Sequence, residues 1–156
     1  MKLRQYKLCK TLFILWIVAL IFWMCFIFSN SLANAEESGE TSQGVVDIIE
    51  EIIRRVIPDF EISDHFVRKL AHFIEFFILG AVFTLSYYIV IRDFKYHISL
   101  SLLFGLLVSL IDETLQLFSL GRAAMVKDVW LDFSAVVTSV VCFAIINLFV
   151  FNKKSL

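Results

Sequence analysis

Four long apolar stretches, set apart by polar segments of unequal length, organise the chain. The first, residues 11–28, carries no charge over 18 positions. At a helical rise of about 1.5 Å per residue it is long enough to cross a hydrocarbon core of about 30 Å. Stretches at 70–91, 98–118 and 129–151 predict three more transmembrane helices. Their connections are so short that consecutive helices are expected to be antiparallel neighbours. Residues 29–68 form a polar connection holding nine acidic residues, among them Glu36, Glu37, Glu40, Asp59 and Asp64. Within it Val45, Ile49, Ile52 and Val56 fall on one helical face. Glu50, Glu51, Arg54 and Arg55 fall largely on the other, until Pro58 stops the pattern. Such an amphipathic helix either lies along the membrane surface or lids the outer ends of the bundle. The fold class expected is an all-α integral membrane protein, with four transmembrane helices and an extracytoplasmic amphipathic helix between the first and second. One membrane domain over residues 1–156 accounts for the chain.

Composition agrees, with 60% of 156 residues apolar and 19% charged, a balance far from that of a soluble globular domain. A net charge of -1 without a basic run argues against nucleic acid as a partner. The distribution of charge matters more than its sum. Lys2, Arg4, Lys7 and Lys10 precede the first span, Arg92 and Lys95 fill the second connection, and Lys153 and Lys154 follow the last. All three sets fall on one side, which the positive-inside tendency makes cytoplasmic, with both termini. Arg54, Arg55, Arg68, Lys69, Arg122 and Lys127 lie on the other side and weaken the bias. Ala33-Asn34-Ala35 looks like a signal-peptidase site. The uncharged core of 18 residues is longer than the usual cleavable one of about 7–15, which favours a retained helix. Cys9, Cys25 and Cys142 then lie in the cytoplasm or the membrane, as structural residues and not as disulfide partners.

Ionisable groups inside a span cost roughly 2.5–3.5 kcal/mol each at mid-bilayer, so their positions are informative. They cluster. His72 and Glu75, three apart, share a face of the second span. Asp112, Glu113 and Gln116 lie near the end of the third, Arg122 in the loop after it, and Asp128 and Asp132 open the fourth. Glu75 and Asp112 sit roughly 9 Å inside the outer boundary and Asp132 about 5 Å inside. The alternating hairpins bring these ends together, so a shared polar pocket is expected. In it His72 would serve as general base or nucleophile, oriented by Glu75. Asp112 and Glu113 would be acid/base partners or would hold a divalent cation, and Arg122 would clamp a phosphate. Gln116, Asp128 and Asp132 would complete the binding rim. No cofactor is evident beyond that cation, and no His-Glu-x-x-His zinc pattern is present.

The competing view is that these acids pair with His72, Arg122, Lys127, Arg68 and Lys69 to pin the bundle. Apolar packing would do that without the desolvation cost, which favours a functional site. Thr84, Ser86 and Ser109 read as helix-packing hydroxyls. Trp16, Trp23 and Trp130 read as packing or lipid-facing residues.

The runs 68–76 (Arg-Lys-Leu-Ala-His-Phe-Ile-Glu-Phe), Asp112-Glu113-Thr114-Leu115-Gln116-Leu117-Phe118 with Gly121-Arg122, and Asp128-Val129-Trp130-Leu131-Asp132 resemble the VanZ-like family of bacterial membrane proteins. Phe28-Ser29-Asn30-Ser31 is similar to that family's serine-rich exit from the first span. The resemblance covers about residues 12–148, and Ser134 and Ser139 depart from it where the family often has glycines. It implies a multi-pass protein of the bacterial cytoplasmic membrane and an association with reduced susceptibility to teicoplanin, which acts on cell-wall precursors outside that membrane. The implied partners are membrane lipids or lipid-linked cell-wall precursors, and the implied activity is that of a lipid head-group hydrolase or transferase. A non-catalytic protein that binds or shields envelope material is the alternative. A proton-coupled transporter fits less well, since the acids cluster at one face. Substrate and oligomeric state are not legible.

Overall fold

A computed structural model describes residues 2–59, 61–89 and 93–151, with side chains placed for 10–59, 61–86 and 93–149. Arg92, Lys153, Lys154 and the Cys9 side chain, used above for orientation and redox state, lie outside that description, as do the side chains of Lys2, Arg4 and Lys7. Five helices follow in order: α1 (Lys2–Leu32), α2 (Ala35–Ile53), α3 (Asp64–Ile89), α4 (Phe94–Gln116) and α5 (Val126–Phe151). Among the described residues there is no strand. Three segments, Lys10–Leu32, Phe94–Gln116 and Val126–Phe149, are long and apolar enough to cross a membrane. The fourth long helix, α3, is not among them. It packs against α1, α2, α4 and α5.

Ile27, Phe76, Leu79, Phe83, Val108, Ala135, Val136 and Val140 form the core between these helices. The backbones approach closely there. A Cβ on Gly105 would stand 2.5 Å from Val136 Cγ1, and one on Gly80 2.8 Å from Ser139 Cβ. Ser139 is small enough to keep that approach, whereas Ser134 is exposed and turned back to the Leu131 carbonyl. Two indoles tie α1 to α3. Trp16 Nε1 donates to the Val82 carbonyl at 2.8 Å and Trp23 Nε1 to that of Glu75 at 2.9 Å. Thr84 and Ser109 spend their hydroxyls on carbonyls of their own helices.

The connection at 29–68 is mostly helical, which corrects its reading as a loop with one short helix inside. α1 runs on to Leu32, and Asn34 caps α2 by accepting the Glu37 N–H at 2.7 Å. A side chain able to take that orphan donor, followed by Glu36 and Glu37 at the positive end of the dipole, starts the helix about ten residues earlier than the apolar stripe indicates. The buried face also differs. Ser42 and Val46 are buried, while Val45, Ile52 and Val56 are exposed. Ser42 donates to the Asp64 carboxylate, and Glu50 accepts the Ile62 N–H at 3.0 Å, so polar contacts to the approach and first turn of α3 set the rotation of α2.

Candidate functional site

The start of α3, the end of α4, the start of α5 and the end of α1 meet at one end of the bundle. His72 Nδ1 lies 3.9 Å from Asp112 Oδ2 and 3.9 Å from Asp132 Oδ1, so one imidazole from α3 faces two carboxylates from α4 and α5. Asp112 and Asp132 are 0% and 1% exposed. Neither has a lysine or arginine nitrogen within ion-pair distance among the described residues. Asp132 Oδ2 is buried and has no hydrogen-bond partner among them. Asp112 is held on both sides: Ser31 Oγ donates to Oδ1 at 2.5 Å and Gln116 Nε2 to Oδ2 at 3.3 Å.

Glu75 is one step removed, its Oε1 accepting from Asn30 Nδ2 at 2.7 Å. Glu113 is buried too, but one of its oxygens accepts the Met125 N–H, so this carboxylate fastens the segment leading into α5. Asp128 is paired with Lys69 at 3.0 Å. Ser31 and Asn30 had no assigned role in the sequence reading. Their signal was two small polar residues closing an otherwise uncharged span, in a place where they could only face a partner inside the bundle. A second histidine, the fully buried His97, lies near Ser86 (3.4 Å) toward the other end of the bundle and has no counterpart in the sequence reading.

Above the cluster opens a cavity of about 230 Å³ to which Arg68, Lys69, His72, Gln116, Arg122 and Asp132 contribute. Gly121, at φ 77° in the left-handed region that favours glycine, turns the chain so that Arg122 reaches this cavity. Burial first, and then the neighbouring Arg68 guanidinium, lower the pKa of Arg122, against the opposing pull of Asp112, Glu113 and Glu75. An arginine remains charged through such a shift. Beside the cavity, a groove of about 430 Å³ runs between the end of α1, α2 and α3. Val45, Ile49, Val67, Leu70 and Ile74 give it apolar walls, and it shares Arg68, His72 and Arg122 with the polar cavity. The side chains of Val45 and Ile49, half of the predicted apolar stripe, therefore line a groove.

Apolar helices bundled around buried ionisable groups define a helical membrane protein with a polar cluster at one end of the bundle. The chain belongs to the VanZ-like family: the family model described as VanZ/LLP1 matches residues 16–147, most of its length. No curated protein and no solved structure matches it.

Proposed function

We propose that the protein spans the cytoplasmic membrane of a bacterium four times, with both termini inside, and acts at the outer leaflet as a hydrolase or transferase of a phosphate-bearing lipid head group. One observation carries the reading: a cavity bordered by arginines and an apolar groove meet at Arg68, His72 and Arg122. An anionic head group fits the first and the adjoining chain fits the second. α3 supports the fourth span, because its ionisable residues His72 and Glu75 turn to partners on other helices. The distribution of lysines and arginines supports the orientation.

In the proposed reaction an oxygen nucleophile attacks phosphorus, water for hydrolysis or a second head-group hydroxyl for transfer. The bond to the leaving oxygen breaks as the new one forms. The nucleophile's proton passes to the His72–aspartate cluster, which returns one to the leaving oxygen. Arg122 and Arg68 hold the phosphoryl oxygens through planar donors, and the low-dielectric surroundings strengthen that hold. Altered head groups on lipid-linked envelope material would lower teicoplanin susceptibility.

Lipid extracts of cells expressing the wild type or His72→Ala, compared by mass spectrometry, test the reading. A head-group change seen with the wild type alone is expected. An unchanged lipidome with retained reduced susceptibility overturns the enzyme and leaves shielding. Orientation is checked separately: cysteines placed at Gln43 or Glu51 in a cysteine-free background should react with an impermeant reagent on intact cells. Labelling only after lysis reverses the topology.

A further inference from the structure

Two buried carboxylates face one imidazole, and among the described residues no lysine or arginine lies at ion-pair distance from them. Two ionised groups so placed need more counter-charge than a single imidazole supplies, and Arg122 acts on Asp112 only from beyond ion-pair distance. We infer that His72, Asp112 and Asp132 form a binding site for a divalent transition-metal cation of the zinc or manganese class, with Ser31 and Gln116 as positioning residues.

The geometry supports three ligands. One atom from each lies within 4.8 Å of the others, and the two His72 Nδ1 distances are 3.9 Å. Ligands about 2.0–2.1 Å from a tetrahedral ion stand roughly 3.4 Å apart, so the two His72 pairs close by about half an ångström and the pair of carboxylates by about 1.4 Å at most. Three different helices supply the ligands, which fixes their relative positions through packing. Asp112 arrives already oriented, with Ser31 on the oxygen that faces away from His72, the arrangement in which a neighbouring donor aims a ligand. Asp132 Oδ2, buried and unpartnered, is the independent sign. A cation held through both oxygens of Asp132 gives Oδ2 the partner it lacks. The donor set decides the class, because an imidazole beside carboxylates suits zinc or manganese, whereas magnesium and calcium favour oxygen alone. A fourth position is open toward the cavity that Arg122 and Gln116 line.

The site stands on its own geometry, without the head-group reading. Where both hold, His72 and the two aspartates would hold the ion in place of taking the nucleophile's proton, and the ion would supply the acidity by which a bound water gives up that proton to solvent in the open cavity.

The full-length protein, purified in detergent and stripped with EDTA, is dialysed against Zn²⁺ or Mn²⁺, and metal content and thermal melting are measured with no lipid substrate present. About one ion per chain and a raised melting temperature are expected. Asp132→Asn and His72→Asn should each lower affinity at least 100-fold, and Ser31→Ala, which removes only an orienting donor, about 10-fold or more. Asp132→Asn removes a buried carboxylate, so its metal-free melting should match or exceed that of the wild type; lost metal binding then cannot be laid to misfolding. Asp47→Asn, on exposed α2, should bind as the wild type does. Absence of stoichiometric metal overturns the proposal and leaves a proton as the neutralising species. So does metal binding that survives Asp132→Asn. Because no lipid enters the assay, metal binding without any change in cellular lipids would refute the head-group reading and leave the cation site standing.

Discussion

Midway along the bundle, α3, α4 and α5 meet through glycines and aliphatic side chains. About two turns away the same helices meet through a histidine and two aspartates. At the first level Gly80 and Gly105 bring backbones so close that Ser139 and Val136 fill the space. At the second, Asp132 keeps a buried oxygen without a partner, and among the described residues His72 is the one basic side chain within ion-pair distance of either aspartate. Packing between apolar surfaces is a sufficient adhesive inside a membrane. The polar level therefore adds little that the apolar level does not already supply, and it leaves groups short of partners. That asymmetry supports reading the first level as the part that holds the helices and the second as the site proposed above.

The comparison breaks most readily at Gly105. Gly105→Val drives methyl groups into Val136 and should destabilise the protein by about 3 kcal/mol, seen as a lower melting temperature and poor accumulation in the membrane. A tolerated valine would mean that the close approach is not what holds α4 to α5. Ser31→Ala is next, at about 2 kcal/mol, because it takes a donor from a buried carboxylate. It should impair function beyond any loss of abundance, since Asp112 loses its orientation. The smallest stability effect and the largest functional one are expected at Asp132→Asn, with melting in EDTA changed by less than about 1 kcal/mol while the lipid change disappears. A fall of about 3–5 kcal/mol, as when a buried ion pair is broken, would instead make the cluster a brace.

How much of this was written in the sequence depends on the rotation of each helix. Spacing and hairpin alternation were enough to send His72, Asp112 and Asp132 to one end. They did not separate Asp112 from Glu113. Consecutive helical residues point about 100° apart, and only packing decides which one turns inward; Asp112 turns to Ser31 and His72, and Glu113 to the Met125 N–H. α2 failed in the same way. Its stripe of Val45, Ile49, Ile52 and Val56 was visible, but tertiary hydrogen bonds from Ser42 and Glu50 rotate it so that Val46 is buried instead. α3 was legible as a long helix, while its position among four neighbours depends on contacts that no local pattern records.

The segment between α4 and α5 is fastened at three points. Glu113 takes the Met125 N–H, Ser119 Oγ donates to the Ser31 carbonyl at 2.8 Å, and the Leu120 carbonyl accepts the Ala35 N–H at 3.0 Å. Arg122 rides on this tether. The conformational entropy of its backbone is surrendered when the chain folds and not when a ligand arrives, so the guanidinium meets an anion without a further ordering cost to the loop. The opposite wall of the groove is α2, which rests on α3 through a narrow face and exposes much of its apolar stripe. Opening free energy is lowest where buried contacts are fewest. The arginine is thus the firmly held wall of the groove and α2 the more lightly held one.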